Sequence, residues 1–306
     1  MTNSAAQPRG LHLWWVAIRP KTLGLAISPV IIGAALAWSS KGTVQNPEVP
    51  WLILLCAIAI QAATNLFNDV KDHLNGTDTA DRVGPPRITA LGWALPHQVS
   101  IGALTICLIA LLGGFHLVTI GGWPIFFGGL AALWAGYLYS NGPYPISRSP
   151  FGEVVVIAFF GLFAVIGTVY LMSGTFGPDA IIWGLIMGLP GGAVLLLNNI
   201  RDYESDRRAG RRTLAILMGP QQAPKLYGAL VLLPYVLIVV GAIFEWIPIG
   251  TTLGIVTMLF AIRNIQNLAS TPHNVELNPL LGATVKCQTL TAIMAALGLL
   301  FVNTVA

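Results

Sequence analysis

The feature that most restricts the fold of this chain is a series of long apolar runs separated by short polar segments. Each run is about 17–25 residues long, which is the length that a helix needs to cross the hydrocarbon core of a bilayer. Backbone amides in lipid must be bonded within their own segment, so these runs are helices rather than isolated strands. We therefore predict an all-α membrane bundle, one domain over residues 1–306, with nine transmembrane helices at approximately 22–38, 51–67, 98–116, 122–140, 152–173, 179–198, 226–244, 246–265 and 284–304.

The composition excludes an ordinary soluble domain. Of the 306 residues, 55% are hydrophobic and only 9% are charged, whereas soluble domains carry roughly a quarter charged residues. The cysteines Cys56, Cys107 and Cys287 lie far apart in or near apolar runs. That spacing predicts buried thiols and favours neither a disulfide framework nor a metal site.

Lysine and arginine set the expected orientation. With the N-terminus in the cytoplasm, fifteen of the 16 Lys and Arg residues fall on the cytoplasmic side, and only Lys41 falls outside. Membrane proteins keep an excess of positive residues on the cytoplasmic side. The sequence therefore predicts a multi-pass protein of the inner (cytoplasmic) membrane, with a cytoplasmic N-terminus and an outside C-terminus.

Two long segments on the cytoplasmic side, 68–97 and 199–225, are expected to be loops and hold seven of the 12 acidic residues. Each begins where an apolar span ends, so its first residues are expected to continue that helix. Positions i and i+4 share one face of a helix. The spacing therefore predicts columns of oxygen ligands at the membrane surface: Asn68 with Asp72, Asn198 with Asp202 and Asp206, and Asn65 with Asp69.

Stacked carboxylates repel each other, and the cost rises where water is scarce. A hard cation offsets that cost, and Mg²⁺ binds through one or two carboxylates together with substrate phosphates. Arginines flank the acids and suit phosphate oxygens; those predicted to bind diphosphate are Arg82, Arg87, Arg201, Arg207 and Arg212. An alternative role in topology and anionic-lipid contact is favoured for Arg208 and Arg211, and Glu204 is expected to be solvated.

At these residues the sequence resembles the UbiA superfamily of intramembrane aromatic prenyltransferases, which carries two Asp-rich motifs after its second and sixth helices. The segments 68–72 (NDVKD) and 202–206 (DYESD) match those motifs. The extended pattern over Asn68, Asp69, Asp72, Gly76 and Asp78 looks like the menaquinone-pathway branch, the 1,4-dihydroxy-2-naphthoate polyprenyltransferases. Segments 19–23 (RPKTL), 81–85 (DRVGP) and 198–214 (NNIRDYESDRRAGRRTL) also look like that branch. Gly76 stands where the wider superfamily commonly has its third acid, and Asp78 substitutes from a loop position.

The resemblance implies transfer of a polyprenyl group from its diphosphate to the ring of 1,4-dihydroxy-2-naphthoate. Diphosphate and CO₂ leave, which gives demethylmenaquinone. The implied cofactor is Mg²⁺, held by Asn68, Asp69, Asp72, Asp78, Asn198, Asp202 and Asp206, with Asp72 and Asp202 as the catalytic acids. Asn65 and Asp81 are expected to support this set. The expected partners are polyprenyl diphosphate, the aromatic acid and the lipid bilayer, and no nucleic acid.

Five further residues are candidates for the same reaction. Tyr139 ends the fourth span and could face the allylic cation, because aromatic faces attract cations; Tyr144 is a second candidate or an aromatic-belt residue. Lys21 and Arg148 could reach diphosphate oxygens or act only as topology charges. Glu153, which opens the fifth span, is expected to support the site by bonding a basic residue or to cap its helix.

A transporter is the alternative from another class, because polar residues inside a membrane often mark ion or substrate paths. Transporters place such residues near the bilayer midplane. Here the acids gather at one mouth of the bundle, which favours the enzyme. Among enzymes, the alternatives are prenyltransferases for homogentisate, 4-hydroxybenzoate or a porphyrin-type ring.

Overall fold

The fold is described from a computed structural model, which covers residues 8–41, 48–74, 84, 86–140 and 144–305. Within those ranges every regular element is a helix and no strand occurs, so the predicted all-α class is confirmed. Eight of the helices described there are long and apolar enough to cross a membrane.

The helices follow one another along the chain, and the longest connection, 75–95, separates α3 from α4. Their bounds are α1 Leu11–Ala17, α2 Pro20–Lys41, α3 Val49–Leu74, α4 Pro96–Ser140, α5 Gly152–Ile157, α6 Ala164–Ser173, α7 Pro178–Arg201, α8 Tyr203–Arg208, α9 Leu214–Ile243, α10 Met258–Ser270 and α11 Asn278–Val305. A π-helical stretch, Ala158–Phe163, joins α5 to α6, and a 3₁₀ stretch, Ile249–Thr257, leads into α10. Each of these two stretches forms one continuous membrane-length segment with the helices it adjoins.

Helix α4 is broken in its middle. Its 45 residues would make a straight helix of roughly 67 Å at about 1.5 Å per residue, twice the thickness of a bilayer core. Gly122 interrupts it with φ 65° and ψ −152°, a conformation that glycine adopts without steric cost. The half before Gly122 packs on α3, where the thiol of Cys56 lies 3.7 Å from the carbonyl oxygen of Ala110.

The half of α4 after Gly122 runs back along the segment formed by α5 and α6. Gly121 lies beside Leu171 at one end of this contact, and Gly128 lies against the ring of Phe163 further along. Residue numbers rise on one partner while they fall on the other, so the two segments are antiparallel. The break therefore returns the chain to the end of the bundle from which α4 started.

The π-helical stretch makes a close backbone contact with α7. A Cβ atom added to Gly161 would collide with the backbone of Gly184 and Gly188 on α7. Glycine at all three positions lets the two backbones approach directly, as small residues do in membrane bundles. This contact positions α5, and with it Glu153, against the end of α7.

Helix α7 occupies the middle of the bundle. In its most apolar stretch 78% of residues are buried, against 17% for α4, so α4 forms the outer wall. Trp183, Met187 and Leu197 of α7 are fully buried. Neighbouring helices therefore hold α7 in place, while Asn198 near its end stays half-buried.

Two expectations about the second half of the chain are wrong. The predicted loop 199–225 is largely helical, because α7 continues to Arg201, α8 follows, and α9 begins at Leu214 rather than near residue 226. Helix α9 was not recognised in the sequence because it contains the non-helical Gly219 and the prolines Pro220 and Pro224, which are typical of loops. The predicted span 246–265 begins as a 3₁₀ helix and ends at Ser270.

Candidate functional site

Both acidic clusters lie at one end of the bundle, which we call the site end: the C-terminal ends of α3 and α7, with α8 and the segments that precede α4, α5, α9 and α11. Contacts join these parts directly. The backbone N–H of Arg212 donates to the carbonyl of Arg148 at 2.9 Å. The guanidinium of Arg201 donates to the side chain of Asn278 at 2.8 Å. The segments before α5, α9 and α11 therefore meet around the end of α7.

In the first cluster, Asp69 is a buried structural residue. It is 1% exposed, and its two carboxylate oxygens accept hydrogen bonds from the backbone N–H groups of Ile88 at 3.0 Å and Thr89 at 3.1 Å. The hydroxyl of Thr89 donates to the same carboxylate. These bonds anchor the segment after the first cluster to α3, and we remove Asp69 from the proposed metal ligands.

We expect Asp69→Ala to lower the stability of the protein without Mg²⁺ or substrate present. Each buried donor left without an acceptor costs about 1–3 kcal/mol, and the substitution strands the two amides and one hydroxyl that bond to Asp69. Thermal unfolding of the purified protein in detergent measures the loss. Thr89→Ser, which keeps the hydroxyl, is the matched control. An unchanged melting temperature combined with a weaker Mg²⁺ dependence of activity would return Asp69 to the metal ligands.

The anchored segment directs Arg87 back onto the first cluster. Arg87 forms an ion pair with Asp72 and donates to the backbone carbonyl of Asn68. It is only 8% exposed, whereas the Asp72 side chain remains 30% exposed. Arg87, predicted to bind diphosphate, is thus the counter-ion of Asp72 in this structure.

In the second cluster the helix breaks at an acid. Helix α7 ends at Arg201, and Asp202, with φ −91° and ψ 9°, separates it from α8. The expected continuous column from Asn198 to Asp206 is therefore wrong in detail. The spacing survives, because Asp202 N–H donates to the Asn198 carbonyl at 3.0 Å and Asp206 N–H donates to the Asp202 carbonyl at 2.9 Å.

Arg201 lies beneath the second cluster and not in its mouth. It is 6% exposed and grips both oxygens of Asp202 at 2.8 Å and 2.6 Å. A third N–H of its guanidinium donates to the side-chain oxygen of Asn278. The donors of Arg201 are therefore occupied by protein groups. We therefore assign Arg201 to orienting Asp202 rather than to binding diphosphate.

Asp206 is a buried acid with one arginine partner. Arg211 lies 3.0 Å from its carboxylate, although the sequence favoured a topology role for that arginine. Burial raises the pKa of Asp206 from its ordinary 3.8 to about 6; Arg211 and Arg201 oppose this shift, and Asp202 and Asp72 reinforce it. The effect of Asp72 on the pKa of Asp206 puts the two clusters within electrostatic reach of each other.

Tyr139 and Glu153 lie beside the same clusters. The phenol of Tyr139 is within electrostatic reach of Glu153, Arg211 and Asp72. Glu153 is 2% exposed, and its Oε1 accepts a hydrogen bond from the side chain of Asn199 at 2.8 Å. Glu153 therefore bonds a neutral amide and not the basic residue that the sequence suggested.

The remaining candidates are more peripheral. Asn65 is buried and donates to the carbonyl of Ile18 at 2.8 Å and to the hydroxyl of Thr22 at 3.2 Å, which fastens the junction of α1 and α2. Side chains that stay exposed at the site end are Lys21, Tyr144, Arg148, Arg207 and Arg212. Asp78, Asp81 and Arg82 lie outside the described residues.

Sequence reasoning missed Thr89, Asn199 and Asn278, and assigned Arg211 to topology. All four are partners of a predicted residue: Asp69, Glu153, Arg201 and Asp206 respectively. Their helical spacing carries no signal, because each contact joins segments or turns that are brought together only by the fold.

A magnesium site is compatible with the oxygen donors that converge here. In the part of the chain that the structure describes, no three His, Cys, Asp or Glu side chains lie close enough to hold a metal by themselves. The available donors are the carboxylates of Asp72, Asp202 and Asp206 with the amides of Asn68 and Asn198. Such donors suit an ion that takes its other ligands from water and a diphosphate, which is the habit of Mg²⁺.

Comparison with known proteins decides the family. Residues 26–275 match the UbiA prenyltransferase family, which covers well over half of the chain. This chain belongs to the UbiA prenyltransferase family. It is accordingly a membrane enzyme that transfers prenyl groups, and the transporter alternative is excluded.

Relatives within the UbiA family are similar along most of the chain. A 1,4-dihydroxy-2-naphthoate octaprenyltransferase from Haemophilus influenzae is 31% identical over 300 residues, which covers 95% of this chain and 96% of the relative. A protein of the same name from Mycobacterium tuberculosis is 33% identical over 89% of this chain and 91% of the relative.

Solved UbiA structures share the fold. A UbiA homolog from Archaeoglobus fulgidus bound to DMAPP and Mg²⁺ is 16% identical and has a TM-score of 0.67 over 94% of this chain and 98% of its own. A UbiA homolog from Aeropyrum pernix K1 is 14% identical and has a TM-score of 0.70 over 94% of this chain and 99% of its own. At such low identity these likenesses establish the UbiA architecture alone.

Proposed function

We propose that this UbiA-family enzyme is a Mg²⁺-dependent 1,4-dihydroxy-2-naphthoate polyprenyltransferase. The bond between the prenyl C1 and the diphosphate oxygen breaks, a new bond joins C1 to the ring carbon that carries the carboxylate, and the carboxylate leaves as CO₂, which returns its bonding electron pair to the ring. The product is the quinol of demethylmenaquinone. The identity of 31% over 95% of the chain with a relative of that name carries the choice of aromatic acid.

The residues proposed to hold Mg²⁺ are Asn68, Asp72, Asn198, Asp202 and Asp206, with Asp78 as a further ligand from the loop. A bound Mg²⁺ would neutralise the diphosphate and make it a better leaving group. Two arginines of the chain orient these carboxylate oxygens: Arg87 holds Asp72, and Arg201 holds Asp202. Exposed basic side chains around the mouth are proposed to bind the diphosphate: Lys21, Arg148, Arg207 and Arg212, with Arg82 from the loop.

Tyr139 is proposed to stabilise the allylic cation that forms as the diphosphate departs. Aromatic faces attract cations by about 2 kcal/mol or more where water is excluded. The position of Tyr139 beside Asp72 and Glu153 supports this role. Tyr144, which is 92% exposed, is the weaker candidate.

The proposed reaction is tested with the purified protein, Mg²⁺, a polyprenyl diphosphate and carboxyl-labelled 1,4-dihydroxy-2-naphthoate. We expect equal amounts of prenylated quinol and labelled CO₂, and no product when Mg²⁺ is chelated. 4-Hydroxybenzoate and homogentisate are the comparison substrates. Turnover of either one without turnover of the naphthoate would move the enzyme to another aromatic acid.

We propose nine membrane crossings, with the N-terminus and the site end in the cytoplasm. The break at Gly122 supports this count, because it divides α4 into two antiparallel segments. The excess of Lys and Arg at the site end supports the orientation.

The nine-crossing topology predicts that residues at the two ends of α4 lie on the same side of the membrane. After replacement of the native cysteines, we expect His97→Cys and Tyr144→Cys, both at exposed positions, to react with an impermeant maleimide only in inverted vesicles. If α4 crosses once, one of the two will instead react from outside in intact cells.

A further inference from the structure

We propose that Glu153 binds a ring hydroxyl of the aromatic acid through its Oε2 atom, with Asn199 holding the carboxylate in place. This inference rests on the proposed function and deepens it, because it assigns residues that recognise the aromatic acid.

Glu153 differs from the three carboxylates proposed to bind metal in having no charged partner among the described residues. Asp72, Asp202 and Asp206 each form an ion pair with an arginine. Glu153 is as buried as any of them at 2% exposure, yet among the described residues it forms no salt bridge, and its hydrogen-bond donors are neutral: the side chain of Asn199 and its own backbone N–H. A buried acid without compensation is costly, so its retention beside the site indicates a use.

One oxygen of Glu153 is fixed and the other is not. Oε1 accepts from Asn199 Nδ2 at 2.8 Å, and this bond sets the rotation of the carboxyl group. Oε2 is buried and has no hydrogen-bond partner in the described part of the chain. Buried polar atoms in native proteins are nearly always bonded, so Oε2 is suited to a partner that arrives with the substrates.

The chemistry of the substrates selects that partner. A diphosphate offers only negative acceptor oxygens, which repel a carboxylate, and a prenyl chain offers no polar atom. The aromatic acid carries two ring hydroxyls, which are hydrogen-bond donors complementary to Oε2. A bond from such a hydroxyl to a carboxylate is charge-assisted and also shifts electron density into the ring that must attack the allylic carbon.

The position of Glu153 fits this assignment. Glu153 acts electrostatically on Tyr139, which is proposed to face the allylic carbon, and Asn199 directly follows Asn198 of the second cluster. A ring bound at Oε2 therefore lies close to both the proposed cation face and the proposed metal ligands. The close backbone contact at Gly161 holds α5 against α7 and so fixes the separation of Glu153 and Asn199.

The test is equilibrium binding of 1,4-dihydroxy-2-naphthoate to the purified protein, followed by the intrinsic fluorescence of the naphthoate. We expect Glu153→Gln to weaken this binding about 10- to 100-fold, the range for a hydrogen bond to a charged group. The KM for prenyl diphosphate and the Mg²⁺ concentration for half-maximal activity should stay unchanged. Glu204→Gln, at an exposed acid of the same end, is the control and should bind as the unaltered protein does.

Methyl ethers of the substrate provide a second measurement on the unaltered protein. We expect one of the two mono-methyl ethers to bind about 10- to 100-fold more weakly than the dihydroxy acid, and Glu153→Gln to abolish that difference. Equal binding of both ethers and the dihydroxy acid would overturn the assignment. So would a Glu153→Gln variant that loses Mg²⁺ affinity and keeps naphthoate affinity. Failure of the proposed function is distinct, because the unaltered protein would then not bind or prenylate the naphthoate.

Discussion

Replacement of Asp72 by asparagine should lower kcat/KM for prenyl diphosphate about 10²–10³-fold, the loss found when one transition-state charge stabiliser is removed. Asp72 is 30% exposed, unlike the buried Asp69 three residues earlier, so it can meet a substrate. Asparagine keeps an oxygen for the guanidinium of Arg87 and removes the negative charge. The measurement is steady-state kinetics over a range of Mg²⁺ concentrations, and the half-maximal Mg²⁺ concentration should rise.

Glu204→Gln is the matched control for Asp72→Asn, because it removes an exposed acid from α8 at the same end of the bundle. It should leave kcat/KM within a factor of about two, as surface substitutions usually have little effect. Melting temperatures without Mg²⁺ separate a loss of chemistry from a loss of fold. A fully active Asp72→Asn variant with unchanged Mg²⁺ dependence would remove Asp72 from the site.

Replacement of Gly161 by leucine should prevent the bundle from assembling. The new side chain would start inside the backbone of α7 at Gly184 and Gly188, and these atoms cannot move aside as a side chain does. Overpacking a core with side chains alone costs about 1–3 kcal/mol, and a clash with backbone costs more. The expected result is loss of the monodisperse peak in size-exclusion chromatography of the detergent-solubilised protein.

Gly167→Leu is the control for Gly161→Leu, since both glycines lie on the same membrane-length segment. A Cβ at Gly167 meets no atom within 4 Å, and leucine is a better helix former than glycine. The Gly167→Leu protein should therefore elute and melt as the unaltered protein does. A folded, active Gly161→Leu variant would show that α5 and α7 can separate without loss of the fold.

Much of the fold can be predicted from the sequence, because an apolar run of membrane-spanning length in this chain can only be a helix. The predicted spans end at residues 67 and 198, where an apolar run gives way to polar residues, and α3 and α7 continue past those points to Leu74 and Arg201, as expected. Helix α9 is missed at its start, because Gly219, Pro220 and Pro224 are ordinarily signs of a loop. Within a bundle the neighbouring helices satisfy the backbone groups that such residues leave free.

The site follows from the sequence only in part. Spacing of three or four residues relates side chains on one helix, and it finds Asn68 with Asp72. It does not relate Arg87 to Asp72 or Asn199 to Glu153, because these contacts depend on the path of the backbone between elements. The roles of the arginines were therefore the least predictable feature of the site. Arg87 and Arg201 each neutralise an acid, and Arg211 does the same for Asp206.

The pairing of acids with arginines has a consequence for the order of binding. In the structure Asp72, Asp202 and Asp206 each carry an arginine as counter-ion, so these three carboxylates are neutralised in the resting site. A cation bound to these carboxylates adds positive charge to a set of acids that the arginines already neutralise, and an incoming anion offsets that charge. Metal and diphosphate should accordingly bind as a pair, each raising the affinity of the other by the same factor, as thermodynamic reciprocity requires.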